Sequence, residues 1–362
     1  MKVQSSKFKV QGYVILFLIC LVLCGCITEY IPTGIKTVEG ILVVDGIITG
    51  DETCITLSRS LNIIKMYYPD EVDIYVNNAG VYVECDDGTR MKGYSNGFQY
   101  IIKTGTLNPE RQYRLKIEID ESEYCSEYLY PAPTPEIDSL FWMKRSQGQP
   151  VMIYVTTQTP DSSIMYYRWS FKEEWEINSR YYSVLFPYYC WNFHHHEELL
   201  VGSAERTTFG SLTAKIAEIH PSDRKLSVLY RIDVKQNAIS KRGYEYFSNI
   251  INIDRQIGSI FAPIPSELRG NLICTTDPGK LVIGHVDVSS TAQKRIYIPN
   301  SVSEYVPTGC KAYFLYELSP TGFSESIYTF WAEVEGGKFV PFNCVDCTYY
   351  GTEQKPEDWP GR

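Results

Sequence analysis

The run "CWNFHHHEELL" sets three consecutive histidines, His194, His195 and His196, against Glu197 and Glu198. Imidazoles and carboxylates are common ligands of zinc and copper, so the run invites a metal-site reading. Adjacent side chains on a strand point to opposite faces, which leaves only His194 and His196 able to share an ion. The other histidines, His220 and His285, stand at no spacing that supplies a third ligand. A polar, histidine-rich loop with no metal is therefore expected. Cys344-x-x-Cys347 has the spacing of a zinc half-site or a redox motif. Zinc would need a second pair, which the chain lacks, and redox chemistry would need a strand–helix–strand setting. A structural disulfide, within the pair or to a distant cysteine such as Cys190 or Cys274, is expected instead.

A third stretch, "RYYSVLFPYYCWNF", gathers Tyr181, Tyr182, Phe186, Tyr188, Tyr189, Trp191 and Phe193. Exposed, these rings would make a platform for a sugar, a peptide or a partner protein; buried, they would be core. Tyr188, Tyr189 and Trp191 are the candidate binding residues. The sequence has no His-Glu-x-x-His and no phosphate-binding glycine loop, and its one Gly-x-Ser-x-Gly run, Gly93 to Gly97, lies between two strand patterns and not at the strand-to-helix turn of a nucleophile elbow. Scattered carboxylates keep a hydrolase acting on glycans or peptides as a third-ranked reading. No catalytic residue and no cofactor are expected.

The N-terminal residues carry a different chemistry. Lys2, Lys7 and Lys9 precede ten apolar residues, Val14 to Leu23. A helical span needs about 20 such residues, so this stretch reads as the centre of a secretory signal. Leu23-Cys24-Gly25-Cys26 then places a large aliphatic three positions before a cysteine and a small residue directly before it. The pattern resembles the bacterial lipoprotein box, which implies cleavage after residue 25 and lipidation of the Cys26 thiol. Acyl chains at one residue would hold the protein on a membrane without threading it.

Loss of residues 1–25 removes three lysines and takes the net charge from −9 to −12. With no basic cluster, a nucleic-acid partner or an electrostatic grip on anionic lipid is not expected. Of eleven cysteines, Cys20 and Cys24 leave with the signal and Cys26 takes lipid. Eight candidates for disulfides remain: Cys54, Cys85, Cys125, Cys190, Cys274, Cys310, Cys344 and Cys347. Their pairing is open.

Strand patterns dominate the rest. "GILVVDGIIT", "VDIYVN", "GVYVECDDGTRMKGY", "GFQYIIKT" and "RQYRLKIEID" alternate apolar and polar residues, with Asp87-Gly88 as a hairpin turn. "LNPERQYRLKI" is similar to the turn-into-strand of immunoglobulin-like and fibronectin-like modules. Residues 26–39 read as a tether, 40–130 as a first β-sandwich, and 131–136, with Pro131, Pro133 and Pro135, as a stiff linker. Residues 137–350 read as a second sandwich and 351–362 as a tail. Within the second, Tyr246, Ile250, Ile253 and Ile257 recur at helical intervals between a Ser240 N-cap and a Gly258 C-cap, predicting a helix over 241–257. The fold class is mostly β, two immunoglobulin- or fibronectin-like sandwiches with one inserted helix.

Taken together, "ILVVDGIIT", "GSIFAPIPSELRGNLICTTDPGKLVIGHVDVSSTAQKRIYI" and "CVDCTYYGTEQKPEDW" resemble the Bacteroidota lipoprotein family called domain of unknown function 4249. The resemblance implies an outer-membrane lipoprotein, on its periplasmic or its cell-surface face, whose gene commonly neighbours a TonB-dependent receptor. It implies no catalysis, and only the lipidated Cys26 can be carried over. The leading expectation is an accessory protein that binds a small-molecule, glycan or peptide ligand and works with such a transporter in nutrient uptake. A structural or adhesive surface module is the alternative, since fold does not dictate function.

Overall fold

The computed structural model describes residues 40–60, 74–158, 166–196, 198–205, 211–256, 269–318 and 331–361. The signal, the tether, Cys26, Val72, Glu197, Ile257 and Gly258 lie outside the described residues. The first strands are β1 (Leu42–Gly46), β2 (Asp51–Arg59), β3 (Gly80–Cys85), β4 (Arg90–Ser95), β5 (Tyr100–Gly105), β6 (Tyr113–Ile119) and β7 (Ser122–Ser126). Next come β8 (Ser139–Met143), β9 (Val151–Gln158), β10 (Tyr166–Asn178), β11 (Tyr189–His195), β12 (Leu200–Ser203), β13 (Ser211–Ile219) and β14 (Leu229–Ala238). Helix α1 (Lys241–Gln256) leads to β15 (Leu272–Cys274), β16 (Val282–Gly284) and β17 (Thr291–Pro299). The chain closes with β18 (Tyr313–Phe314), β19 (Trp331–Val334) and β20 (Lys338–Pro341). The fold is mostly β. No helix among the described residues is long and apolar enough to cross a membrane.

The largest sheet has nine strands in the order β15-β7-β6-β3-β4-β5-β2-β1-β16. Its period-2 alternation buries Leu42 and Val44, Ile55 and Leu57, Val81 and Val83, and Leu115 and Ile117 in one core. The Asp87-Gly88 turn joins β3 to β4, with the Asp87 carboxylate accepting from the Thr89 amide at 2.8 Å. At the entry to β6, the Tyr113 hydroxyl accepts from the Asn108 amide at 2.8 Å, which closes the "LNPERQY" turn onto its own strand. The described part of "VDIYVN" makes an isolated bridge, Tyr75 to Ser58, with backbone hydrogen bonds of 2.9 Å between Ile74 and Arg59 and between Val76 and Leu57. The end strands β15 and β16 come from far along the chain and pair with β7 and β1.

A second core lies between two smaller sheets. One has the order β11-β10-β14-β17, with β12 also on β10; the other is β13-β9-β8. Their facing sides bury Ile153 and Val155 against Tyr167, Trp169, Phe171, Tyr230, Ile232 and Val234. Each such side chain contributes roughly 1.5–3 kcal/mol relative to exposure. The Gln236 side-chain amide is hydrogen-bonded within this apolar layer. Gln236 Oε1 accepts from Trp169 Nε1 at 2.8 Å and Thr157 Oγ1 at 2.7 Å, and its Nε2 donates to the Pro135 carbonyl at 3.0 Å. The proline-rich segment is thus fastened to the core, and Ala132 is also bridged to Ser289.

Helix α1 begins where Ser240 Oγ accepts from the Gly243 amide at 3.0 Å, an N-cap. Tyr246 and Phe247 pack with Tyr166 and Ile239, touching Val201 on one side and Ile47 and Ile283 on the other. The helix therefore sits where the nine-stranded sheet meets the β10 sheet. Arg168 crosses the same junction, donating to Asp45 at 2.9 Å and lying over the Phe247 ring at 4.8 Å.

Four of the eight candidate cysteines form disulfides, Cys190–Cys347 and Cys310–Cys344. The partners of the Cys-x-x-Cys pair are therefore both distant. Cys54, Cys85, Cys125 and Cys274 are free thiols, a correction to the expectation that all eight serve as bridge candidates. Sheet geometry gives the reason. Cys85 and Cys274 both point into the first core, but β3 and β15 are three strand spacings apart, roughly 14 Å, beyond disulfide reach. Cys274 pairs in register with Tyr124, so Cys125, one residue on, faces the other side of the sheet. Burial pushes the Cys54, Cys85 and Cys125 thiols above their ordinary pKa and keeps them protonated.

The C-terminal segment is a strap. Thr352 and Trp191 exchange two backbone hydrogen bonds of 2.8 Å. A Cβ on Gly351 would overlap the Trp191 carbonyl, so only glycine allows this approach. Further on, buried Trp359 covers the outer face of the β10 sheet. Its indole donates to Glu176 at 3.1 Å, lies 5.1 Å from the Arg231 guanidinium and meets Tyr297 edge-on. Beneath it, Glu174 pairs with Arg231 and with Lys172, and Asp233 with Arg295.

Candidate functional site

Strand β10 ends at Asn178 and runs into Ser179 and Arg180, which form one wall of a small, open cleft. The opposite wall starts from a short 3₁₀ turn before β14. There Asp223 caps the turn by accepting from the Lys225 amide at 2.9 Å, which sets Arg224 and Ser227 facing the cleft. The loop after β17 supplies Tyr305 and Thr308, and the stapled C-terminal region supplies Asn343 and Tyr350. The Arg224 guanidinium lies between two rings, 3.2 Å from the Tyr350 centroid and 5.3 Å from that of Tyr305. Asn343 Nδ2 donates to the Tyr350 hydroxyl at 2.8 Å and steadies that ring. Burial raises the pKa of the Tyr305 phenol against the opposing pull of Arg224, so the phenol stays neutral.

None of the described side chains lining the cleft is acidic. Among the described residues neither Arg180 nor Arg224 has a carboxylate partner. Ser227 Oγ is buried with no hydrogen-bond partner among the described residues. In a chain with 43 acidic and 34 basic residues, two guanidiniums in one depression with no carboxylate partner among the described residues make a local positive potential. Guanidinium N–H groups bind oxyanions through charge-assisted hydrogen bonds.

Rigidity comes from both disulfides. Cys310 lines the cleft and is tied to Cys344, while Cys347 is tied to Cys190 on β11. Around this staple the aromatic stretch divides. Tyr181 and Phe186 pack on a small core with Val340, Cys344 and Val345, and the Tyr181 hydroxyl donates to the Cys310 carbonyl at 3.1 Å. Tyr182, Tyr189 and Phe193 remain 68%, 46% and 58% exposed. Tyr188 joins Tyr189 edge-on at 4.7 Å and Tyr182 at 6.0 Å, making one continuous aromatic strip. Tyr189 is the register partner of Asn178, so the strip begins at the cleft wall. Of the three candidate binding residues, Tyr188 and Tyr189 are brought together on this surface. Trp191 is half-buried and engaged by the strap at Thr352.

The histidine run sits at the far end of β11 and just past it. His194 Nδ1 lies 3.5 Å from Glu173, a carboxylate that also accepts from Tyr230 at 2.6 Å and Lys225 at 2.7 Å. His196 stacks on Phe171 at 4.3 Å. The two imidazoles are 5.9 Å apart and edge-on. No group of three or more metal-ligating side chains occurs among the described residues.

A Ser–His–Asp trio is present that sequence reading does not reveal, because Ser240, His285 and Asp287 come from different segments. Ser240 Oγ and Asp287 Oδ2 both approach His285 Nε2, at 3.3 Å and 3.4 Å. A nucleophile relay needs the hydroxyl and the carboxylate on opposite ring nitrogens. Ser240 Oγ also serves as the α1 cap, and His285 and Asp287 are buried beneath Gly243, where a Cβ would meet both side chains. The trio anchors the helix. Arg180, Arg224 and Ser227 were likewise missed, since isolated arginines carry no local signal of a shared site.

No curated protein matches the chain. Residues 27–295 match the family described as Domain of unknown function (DUF4249), and because that match spans most of the sequence, the protein belongs to this family.

Proposed function

We propose that the chain is a lipid-anchored binding protein of the outer membrane, held through Cys26, that works as an accessory ligand- or receptor-binding partner of a TonB-dependent transporter in nutrient uptake. The observation that carries this reading is the arginine-lined cleft opening onto an exposed aromatic strip, on a wall held by two disulfides. Pre-formed polar depressions beside exposed rings suit capture of a solute. The lipoprotein-like residues ahead of Cys26 support a membrane location. We read the body as two sandwich units, one around each large core, with α1 at their junction. Two experiments test the proposal. Radiolabelled palmitate should enter the wild-type chain and not Cys26→Ala. Detergent extraction of outer membranes followed by pulldown and mass spectrometry should recover a transporter. Recovery of the wild-type chain with no transporter would refute the accessory role.

A further inference from the structure

We propose that the cleft takes the oxyanion head of an acidic sugar, a carboxylate or a phosphate, while the sugar ring lies on the Tyr188–Tyr189 strip. This rests on the binding-protein reading above and gives that site a ligand class. Three observations converge. Arg180 and Arg224 line the cleft, and neither has a carboxylate partner among the described residues. Arg224 is held between two tyrosine rings, so its guanidinium is oriented before a ligand arrives and little side-chain freedom is lost on binding. Ser227 Oγ is buried and has no partner among the described residues, a hydroxyl for which an oxyanion is a natural acceptor.

The ring follows from what surrounds the head-group site. Thr308 and Asn343 offer uncharged polar groups of the kind that pair with sugar hydroxyls. Next to Asn178 stands Tyr189, with Tyr188 and Tyr182 beyond it. Water-exposed aromatic faces stack on flat C–H surfaces while their hydroxyls remain solvated. An inorganic ion would use the cleft and leave this strip untouched, whereas a sugar bearing one negative group uses both.

The test is calorimetric titration of the full chain in detergent with glucuronate, glucose 6-phosphate, glucose and inorganic phosphate. Glucuronate, glucose 6-phosphate or both should bind about tenfold or more tightly than glucose, the scale of one charge-assisted contact. Arg180→Gln and Arg224→Gln should each remove about tenfold of that affinity. Arg180 is exposed and supports no other side chain, so its variant remains informative if Arg224→Gln fails to fold. Tyr189→Ala should weaken the acidic sugar and leave inorganic phosphate unchanged. Equal binding of all three sugars, no binding of either acidic sugar, unchanged affinity in Arg180→Gln, or phosphate binding as tightly as the acidic sugars would each overturn the proposal. A chain that recovers a transporter but binds no acidic sugar loses this inference alone; one that binds the sugar but recovers no transporter loses only the accessory role.

Discussion

Removing either disulfide should destabilise the cleft wall, but by different amounts. Cys190–Cys347 closes a separation of 157 residues and Cys310–Cys344 one of 34. In the chain-entropy picture these closures restrict the unfolded chain by about 5 and about 4 kcal/mol at room temperature. Truncating buried sulfurs adds a cavity cost, larger for the first pair because Cys190 and Cys347 are both fully buried. The double variants Cys190→Ala/Cys347→Ala and Cys310→Ala/Cys344→Ala can be unfolded in urea and followed by tryptophan fluorescence. The first should lose at least about 1 kcal/mol more than the second, and reducing the wild-type protein should cost more than either. Alkylation of denatured, unreduced protein should label Cys54, Cys85, Cys125 and Cys274 and spare the other four. Equal stability of reduced and oxidised protein, or a larger loss from the shorter bridge, would refute the reasoning.

Trp359→Ala should cost about 3 kcal/mol or more in thermal unfolding, because it strips a buried indole from Glu176 and Arg231; Trp359→Phe should restore part of that loss but not the hydrogen bond. Gly351→Val should drive Thr352 off the β11 edge, raising hydrogen exchange at the Trp191 and Thr352 amides and costing about 1–3 kcal/mol for two backbone bonds. Burial alone would raise the Glu174 carboxyl, yet hydrogen bonds from Lys172 and Arg231 outweigh it and hold it below its usual range. That stabilisation is present above the unfolded carboxyl pKa and is lost as pH falls through the lower folded value, so Glu174→Gln should flatten the acid limb of a stability-versus-pH curve.

Much of the local structure was legible because its causes are local. Alternation in "GVYVEC" and "RLKIEI" states which residues share a face, and those faces are the buried ones. Asp87-Gly88 turns the chain by its own backbone preference, and Ser240 caps α1 with its own hydroxyl. Tyr113 closes a turn only five residues upstream. Alternation does not specify neighbours, and that limit explains the rest. "VDIYVN" alternates as well as any strand, yet its described residues make one bridge, on the part of β2 beyond the reach of β5.

Sequence alone therefore determined the β-rich character, the turns, the helix and its cap, and the family, since each rests on spacing within a short window. Tertiary structure decided which four cysteines bond, that Leu272–Cys274 and Val282–Gly284 complete the nine-stranded sheet, and how the aromatic stretch divides between core and surface. It alone brought Arg180 and Arg224 to one cleft whose described lining holds no carboxylate. The physical reason is range: period and propensity act over a few residues, whereas strand order and side-chain proximity depend on which distant surfaces bury one another.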